Sequence, residues 1–126
     1  MLKVVHTKRC KDKDAVLIDR QSIFGNPFRI GRDGDRAEVI DLFESYFRRR
    51  LIKDPSFRSA VLRLKDFNTL KCWCSPLPCH GDVIARLLDS GFVDLVENMS
   101  ALGYGPTQIN YAWEDALGYR QGKDTL

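Results

Sequence analysis

Residues 69–84, read Thr-Leu-Lys-Cys-Trp-Cys-Ser-Pro-Leu-Pro-Cys-His-Gly-Asp-Val-Ile, constrain the fold more than any other stretch of the chain. Leu70, Cys72 and Cys74 alternate with Lys71 and Trp73, the period of a short strand, which puts Cys72 and Cys74 on one face. Pro76 and Pro78 then stop the strand and stiffen the loop. Val83, Ile84, Leu87 and Leu88 recur at helical spacing, with Gly91 as the stop. Cys79, His80, Gly81 and Asp82 therefore fall on the first turn of a helix, just beyond a strand end. Free backbone N–H groups and the helix dipole favour negative charge there, and α/β proteins place ligands at that position. The same field lowers a thiol's pKa, so Cys79 is the expected thiolate.

Two chemistries fit this stretch. Cys72, Cys74, Cys79 and His80 are suitable ligand types for a tetrahedral zinc ion, although Cys-x-Cys-x4-Cys-His is not the spacing of a finger or ribbon. Alternatively, Cys79 and His80 line a metal-free substrate pocket. Cys79 is then a nucleophile or polar contact, His80 a general acid or base, and Asp82 either orients His80 or caps the helix. Gly81 belongs to the helix start, Cys79 to Asp82, that would hold an anion. The plain structural reading makes Cys72 and Cys74 ordinary buried strand residues.

A chain of 126 residues makes one domain with room for a sizeable core. Its 44% hydrophobic and 29% charged residues are ordinary for a water-soluble domain. The net charge of +3 gives no global case for nucleic-acid binding, so any basic surface is local. No apolar run reaches spanning length and no signal peptide is visible, so the expectation is a cytoplasmic protein without a membrane partner. Cysteines at 10, 72, 74 and 79 suit thiol or metal chemistry in a reducing compartment better than a disulfide scaffold.

Taken in order, residues 2–7 read as a first strand and residues 8–14 as a charged loop. Residues 15–19, Ala-Val-Leu-Ile-Asp, form an apolar run that predicts a central strand buried on both faces. Arg20 stands at its end, where a guanidinium can bind phosphate or carboxylate. Gly25, Asn26 and Pro27 are turn residues, and Asn26 can also meet a base or sugar edge. The loop holding Arg29, Arg32 and Arg36 among glycines can cradle an anion. Asp35 and Glu38 predict a helix start near Arg36, with Val39, Ile40, Phe43, Tyr46, Phe47 and Leu51 as its buried stripe. Arg48, Arg49 and Arg50 complement the dipole at its end. Asp54 and Pro55 start a second helix. Phe92, Leu95, Val96, Met99 and Leu102 suggest a further helix. Ile109, Ala112, Trp113, Ala116 and Leu117 suggest a last one ending at Gly118, followed by a frayed tail from Gln121. An exposed Trp113 would mark a protein-docking helix.

This alternation predicts a small α/β, Rossmann-like three-layer domain with a mainly parallel sheet and C-terminal helices. Residues 1–91 form the core domain, and residues 92–126 a helical extension packed on it. The expected function is a small enzyme or ligand-binding domain for an anionic, nucleotide-like molecule. As an enzyme it would be a nucleotide- or nucleoside-directed hydrolase or transferase. Arg20, Asn26, Arg32, Arg36 and Gly81 hold the ligand, and Cys79, His80 and Asp82 do the chemistry. The alternative is a zinc-stabilised accessory module contacting nucleic acid or a host protein.

The segments 20–28, 30–34, 36–40 and 70–84 together resemble a family of small phage and bacterial proteins, domain of unknown function 4326. The resemblance covers roughly residues 2–90, leaves the part from Phe92 outside, and implies no activity. A phage origin would place the protein in the host cytoplasm. Asp19 stands where that family carries glycine, a departure at the pocket edge. A more distant family, with a strand-borne cysteine followed by Cys-His at a helix start, is similar too and implies a compact Rossmann-like fold by analogy.

Overall fold

The computed structural model describes residues 2–117, with side chains through Glu114. Three strands, β1 (Lys3–His6), β2 (Val16–Leu17) and β3 (Thr69–Cys72), form one parallel sheet in the order β1-β3-β2. Val4 pairs with Leu70 and His6 with Cys72 on one side of β3, and Val16 with Leu70 on the other. The apolar run at 15–19 is therefore an edge strand, not the central one. A three-stranded sheet has one inner position, and β3 takes it, with Thr69, Leu70 and Cys72 all buried. Val16 and Leu17 are half-buried, and only Ile18, just past the strand, is fully enclosed. The strand at 70–74 also ends earlier than its alternation suggests, so Cys74 lies in the loop.

Helix α1 (Arg36–Lys53) starts where Asp35 and Glu38 predict. The Glu38 N–H donates to Asp35 Oδ1 at 2.9 Å, and the Asp35 N–H donates to Glu38 Oε1 at 3.0 Å. This reciprocal cap satisfies two otherwise orphaned donors. Val39, Phe43, Phe47 and Leu51, each four residues apart, make its buried stripe, while Ile40 and Tyr46 are only partly buried against the core. Asp54 ends α1 and caps α2 (Pro55–Leu62), accepting the Phe57 N–H at 3.1 Å, with Pro55 in the first turn where its missing N–H costs nothing. Helix α3 (His80–Ser90) ends at Gly91, whose φ of 89° is left-handed backbone that favours glycine, and α4 (Phe92–Ala101) begins at once. Helix α5 is Pro106–Leu117. The expected end at Gly118 and the tail from Gln121 lie outside the described residues.

Helix α3 packs on β1 and β3, α1 packs on α3, and α4 packs on α3, α2 and α1, with α5 on α4 and α1. Gly81 sets how close α3 comes to the sheet. A Cβ there would stand 2.7 Å from Ile18 Cδ1 and 3.0 Å from Val4 Cγ1. On α4 Val93 is buried, and Leu102 lies just past its end and is exposed, so the buried stripe differs from the sequence expectation. Trp113 is 5% exposed, edge-on to Phe92 at 4.9 Å, which withdraws the sequence argument for a docking helix built on it.

Two of the three consecutive arginines serve the interior. Arg48 Nη2 donates to Asn110 Oδ1 at 2.8 Å and its guanidinium lies 5.5 Å from the Phe92 ring centre. Arg50 covers the Phe57 ring at 3.9 Å and donates to Tyr46 Oη at 2.9 Å. Arg58, which carried no signal in the sequence, is 3% exposed. It donates to the Leu51 carbonyl at 2.7 Å and pairs with Glu97 at 3.2 Å, tying the last turn of α1 to α4. Among the described residues no helix is long and apolar enough to cross a membrane.

Candidate functional site

Parallel strands deliver their following residues to one side of the sheet, and a cavity of about 140 Å³ opens there. Asp19 and Arg20 reach it after β2, and Cys72, Trp73 and Cys74 at and beyond the end of β3. Arg36, Val39 and Ile40 come from the start of α1, and Cys79 and His80 from the start of α3. Phe28, Ile30, Asn26 and Pro78 complete the wall.

The floor is a pair of thiols. Cys72 and Cys79 are 1% and 3% exposed, and their sulfurs meet at 3.4 Å. The structure reverses the expected thiolate. Cys72 is pulled down to about 6, first by the Cys79 S–H and then, against burial, by the backbone N–H groups of Ser75 and Cys74. Cys79 is pushed up, first by its contact with the Cys72 sulfur and then by burial, with the Gly81 N–H pulling the other way. The contact between the two sulfurs is the largest influence on both, and the Asp82 carboxylate opposes ionisation of both. Asp82 itself caps the helix, accepting the Cys79 N–H at 3.0 Å, and its side chain is outside the cavity wall.

His80 is 8% exposed, edge-on to Phe43 at 5.2 Å. Its Nε2 lies 2.5 Å from the Ile18 carbonyl oxygen. A carbonyl only accepts, so Nε2 carries the hydrogen and the lone pair of the neutral ring is on Nδ1. Burial pushes the imidazole below its ordinary value, and the nearby Arg20 cation works in the same direction against Asp82 and Asp19. At neutral pH it is an uncharged base with a fixed tautomer.

The loop over the thiols is pinned from several sides. Arg36 Nη1 donates to the Pro78 carbonyl at 3.1 Å, Arg9 to the Ser75 carbonyl at 2.9 Å, and Thr7 to the Cys72 carbonyl at 3.1 Å. Asp19 accepts the Gln21 N–H at 3.0 Å and the Trp73 indole N–H at 3.3 Å. It thereby fixes a half-exposed aromatic ring at the mouth. Arg20 is exposed at the rim and donates to the Phe28 carbonyl at 3.3 Å.

Other sequence candidates sit differently. Asn26 is buried and donates to the Val39 carbonyl at 3.2 Å while accepting the Phe28 N–H at 2.9 Å, so both ends of its amide are engaged. Arg32 is outside the cavity, paired with Asp33 at 2.8 Å and bonded to the Pro27 carbonyl. It lines a neighbouring groove with Arg20, Arg29 and Arg50. Gly81 is spent on helix–sheet contact. The four zinc candidates do not converge: Cys72 and Cys79 face each other, His80 Nε2 is turned to Ile18, and among the described residues no group of three or more His, Cys, Asp or Glu side chains is placed to hold a metal.

An α/β domain with a small parallel sheet and a thiol-floored cavity at its strand ends is the class that fold and site define. The chain belongs to the family described as Domain of unknown function (DUF4326), whose model matches residues 3–90. It is also similar to a protein of Enterobacteria phage T4 described as "Uncharacterized 12.4 kDa protein in nrdA-td intergenic region". The two are 40% identical over 80 residues, 63% of this chain and 71% of the relative. No solved structure matches it.

Proposed function

We propose that this chain is a small enzyme or ligand-binding domain that takes a nucleotide-like molecule ring-first into the cavity, with its anionic group at the arginine rim. The observation carrying this reading is a cavity with a largely apolar lining that also holds two arginines, Arg20 and Arg36. A volume of about 140 Å³ is below the ~300 Å³ of pockets that enclose a whole drug-sized ligand. It is close to the ~150 Å³ that accepts a single benzene-sized ring. The thiolate at the floor disfavours an anion inside, so the charged group of the ligand belongs outside, at Arg20. Phe28 and the half-exposed Trp73 offer faces for a planar ring.

Within this reading Cys72 is the nucleophile and the neutral His80 a proton acceptor, with hydrolase or transferase chemistry on a nucleoside or nucleotide as the enzymatic form. The parallel strands and the site at their carboxyl ends support a Rossmann-like assignment for the fold. The work of such a domain is cytoplasmic, in the host cell for a phage-encoded copy.

Trp73 fluorescence during titration with nucleosides, nucleoside monophosphates and inorganic phosphate tests the reading. Nucleoside monophosphates should bind, and Arg20→Gln should weaken them by roughly tenfold or more, the worth of one charge-assisted hydrogen bond. Saturable binding that is indifferent to Arg20→Gln, or no binding by any member of the set, refutes it.

A further inference from the structure

The contact between Cys72 and Cys79 has a second use that does not depend on which ligand enters. A disulfide has sulfurs near 2.05 Å, so a pair already at 3.4 Å needs to close by roughly 1.4 Å. One cysteine ends a strand and the other caps the following helix, so a small side-chain movement brings them together. Cys10 is engaged elsewhere, its thiol donating to the Asp12 carbonyl at 3.6 Å, and Cys74 is half-buried in the loop. Both Cys72 and Cys79 are almost fully covered by protein, yet both form part of the cavity wall. A reagent therefore reaches them through the cavity or not at all. Hydrogen peroxide and small alkyl peroxides are small beside a cavity of about 140 Å³.

We infer that Cys72 and Cys79 form a reversible dithiol–disulfide couple, oxidised by a small peroxide that enters through the cavity. In the first step the Cys72 sulfur attacks one peroxide oxygen. The S–O bond forms, the O–O bond breaks, and the departing hydroxide takes a proton to leave as water, or as an alcohol from an alkyl peroxide. Cys72 is now a sulfenic acid, two electrons more oxidised. Cys79 gives up its proton and its sulfur attacks the Cys72 sulfur. The S–S bond forms, the S–O bond breaks, and hydroxide leaves with that proton as a second water. The sum is two thiols and one hydrogen peroxide to one disulfide and two waters. A dithiol reductant reverses it by thiol–disulfide exchange. Oxidation removes the negative charge from the cavity floor and ties the end of β3 to the start of α3. The couple thus makes the chemistry of the site depend on redox state.

The experiment uses the full chain, reduced and then exposed to stoichiometric hydrogen peroxide. After removal of the peroxide the chain is unfolded and its free thiols are alkylated with a maleimide. Intact mass should show two alkylated cysteines instead of the four in the sequence, with the loss of two hydrogens. Prior treatment with dithiothreitol should restore all four. Fragmentation of the peptide spanning residues 72–86 should place the link between Cys72 and Cys79. Cys74→Ser should still lose two thiols, whereas Cys79→Ser, given two or more equivalents of peroxide, should carry Cys72 on to sulfinic acid. Four alkylated cysteines after peroxide, or a link through Cys10 or Cys74, overturns the proposal. The wild-type mass and fragment map decide it even where a serine variant does not fold.

Discussion

Replacing Gly81 by alanine tests the contact on which both fold and site depend. The new methyl would stand 2.7 Å from Ile18 Cδ1 and 3.0 Å from Val4 Cγ1, where ordinary contact begins at 3.4 Å. Ile18 must then retreat by about 0.7 Å (3.4 − 2.7) and Val4 by about 0.4 Å (3.4 − 3.0). Ile18 is completely buried, so its methyl has nowhere to go without moving the helix. Overpacking of this kind costs ~1–3 kcal/mol. Against it stands the helical preference of alanine over glycine, ~0.5–1 kcal/mol. The net is a destabilisation of about 1 kcal/mol, or roughly 4 °C in Tm for a chain of this size. Urea unfolding followed by circular dichroism measures it. The sign is decisive, because a glycine with free space around it would give a more stable alanine variant. Ile18→Val removes the clashing methyl, so the double variant should be more stable than the sum of the two single effects predicts. A Gly81→Ala chain at least as stable as the parent, or strict additivity with Ile18→Val, would refute the close-contact argument.

Arg58→Met should cost ~2–4 kcal/mol in urea unfolding, because it strips a buried charged donor from the Leu51 carbonyl and from Glu97; a loss below ~0.5 kcal/mol would contradict that role. The ultraviolet absorbance of thiolate should titrate first from Cys72, below the ordinary thiol range, and Cys79→Ala should move that midpoint upward by removing the contact; an unchanged midpoint would dissociate the two sulfurs. His80 is held below its ordinary value, so the unfolded chain binds a proton that the folded chain refuses. Its contribution to stability is complete above pH 6.5 and falls as pH drops through 6.5, and His80→Gln should flatten that part of the pH–stability curve, read as urea midpoints. Asp35→Ala should cost about 1 kcal/mol by uncapping α1, and an unaffected unfolding midpoint would count against the cap.

Local signals carried the reading of the chain a long way. The caps at Asp35 and Asp54, the stop at Gly91 and the strand–loop–helix passage through Cys79 are each written in a few adjacent residues, because each is a local hydrogen-bonding or backbone problem. What was not legible depends on partners distant in sequence. The run at 15–19 has the composition of a central strand, but its place was settled by β3 pairing with both other strands. Cys79 has the helix-start position of a reactive thiol, but its contact with Cys72, followed by the Ser75 and Cys74 N–H groups set by the turn of the loop, favours the other sulfur. Asn26 and Arg32 looked like ligand groups because their types suit anions or bases. Their hydrogen bonds go instead to Val39, Phe28, Pro27 and Asp33. Arg58 gave no signal, since a buried arginine is visible only once α1 and α4 are side by side.

The order of strands within the sheet bears on how the chain is made. β1 and β2 never touch as neighbours; each pairs with β3, and Lys3 meets Thr69 from 66 positions away in the sequence (69 − 3). On a ribosome the first strand therefore emerges without its partner. At ~5–20 residues per second it waits roughly 3–13 seconds for the central strand to be synthesised. During that interval α1 and α2, closed by their own caps, are the segments able to organise. The cavity, which needs the ends of β2 and β3 together with the start of α3, comes into being only with the later half of the polypeptide. A nascent chain stalled before Thr69 carries two orphan strands and no site, and is the species that a cell's holding chaperones would meet.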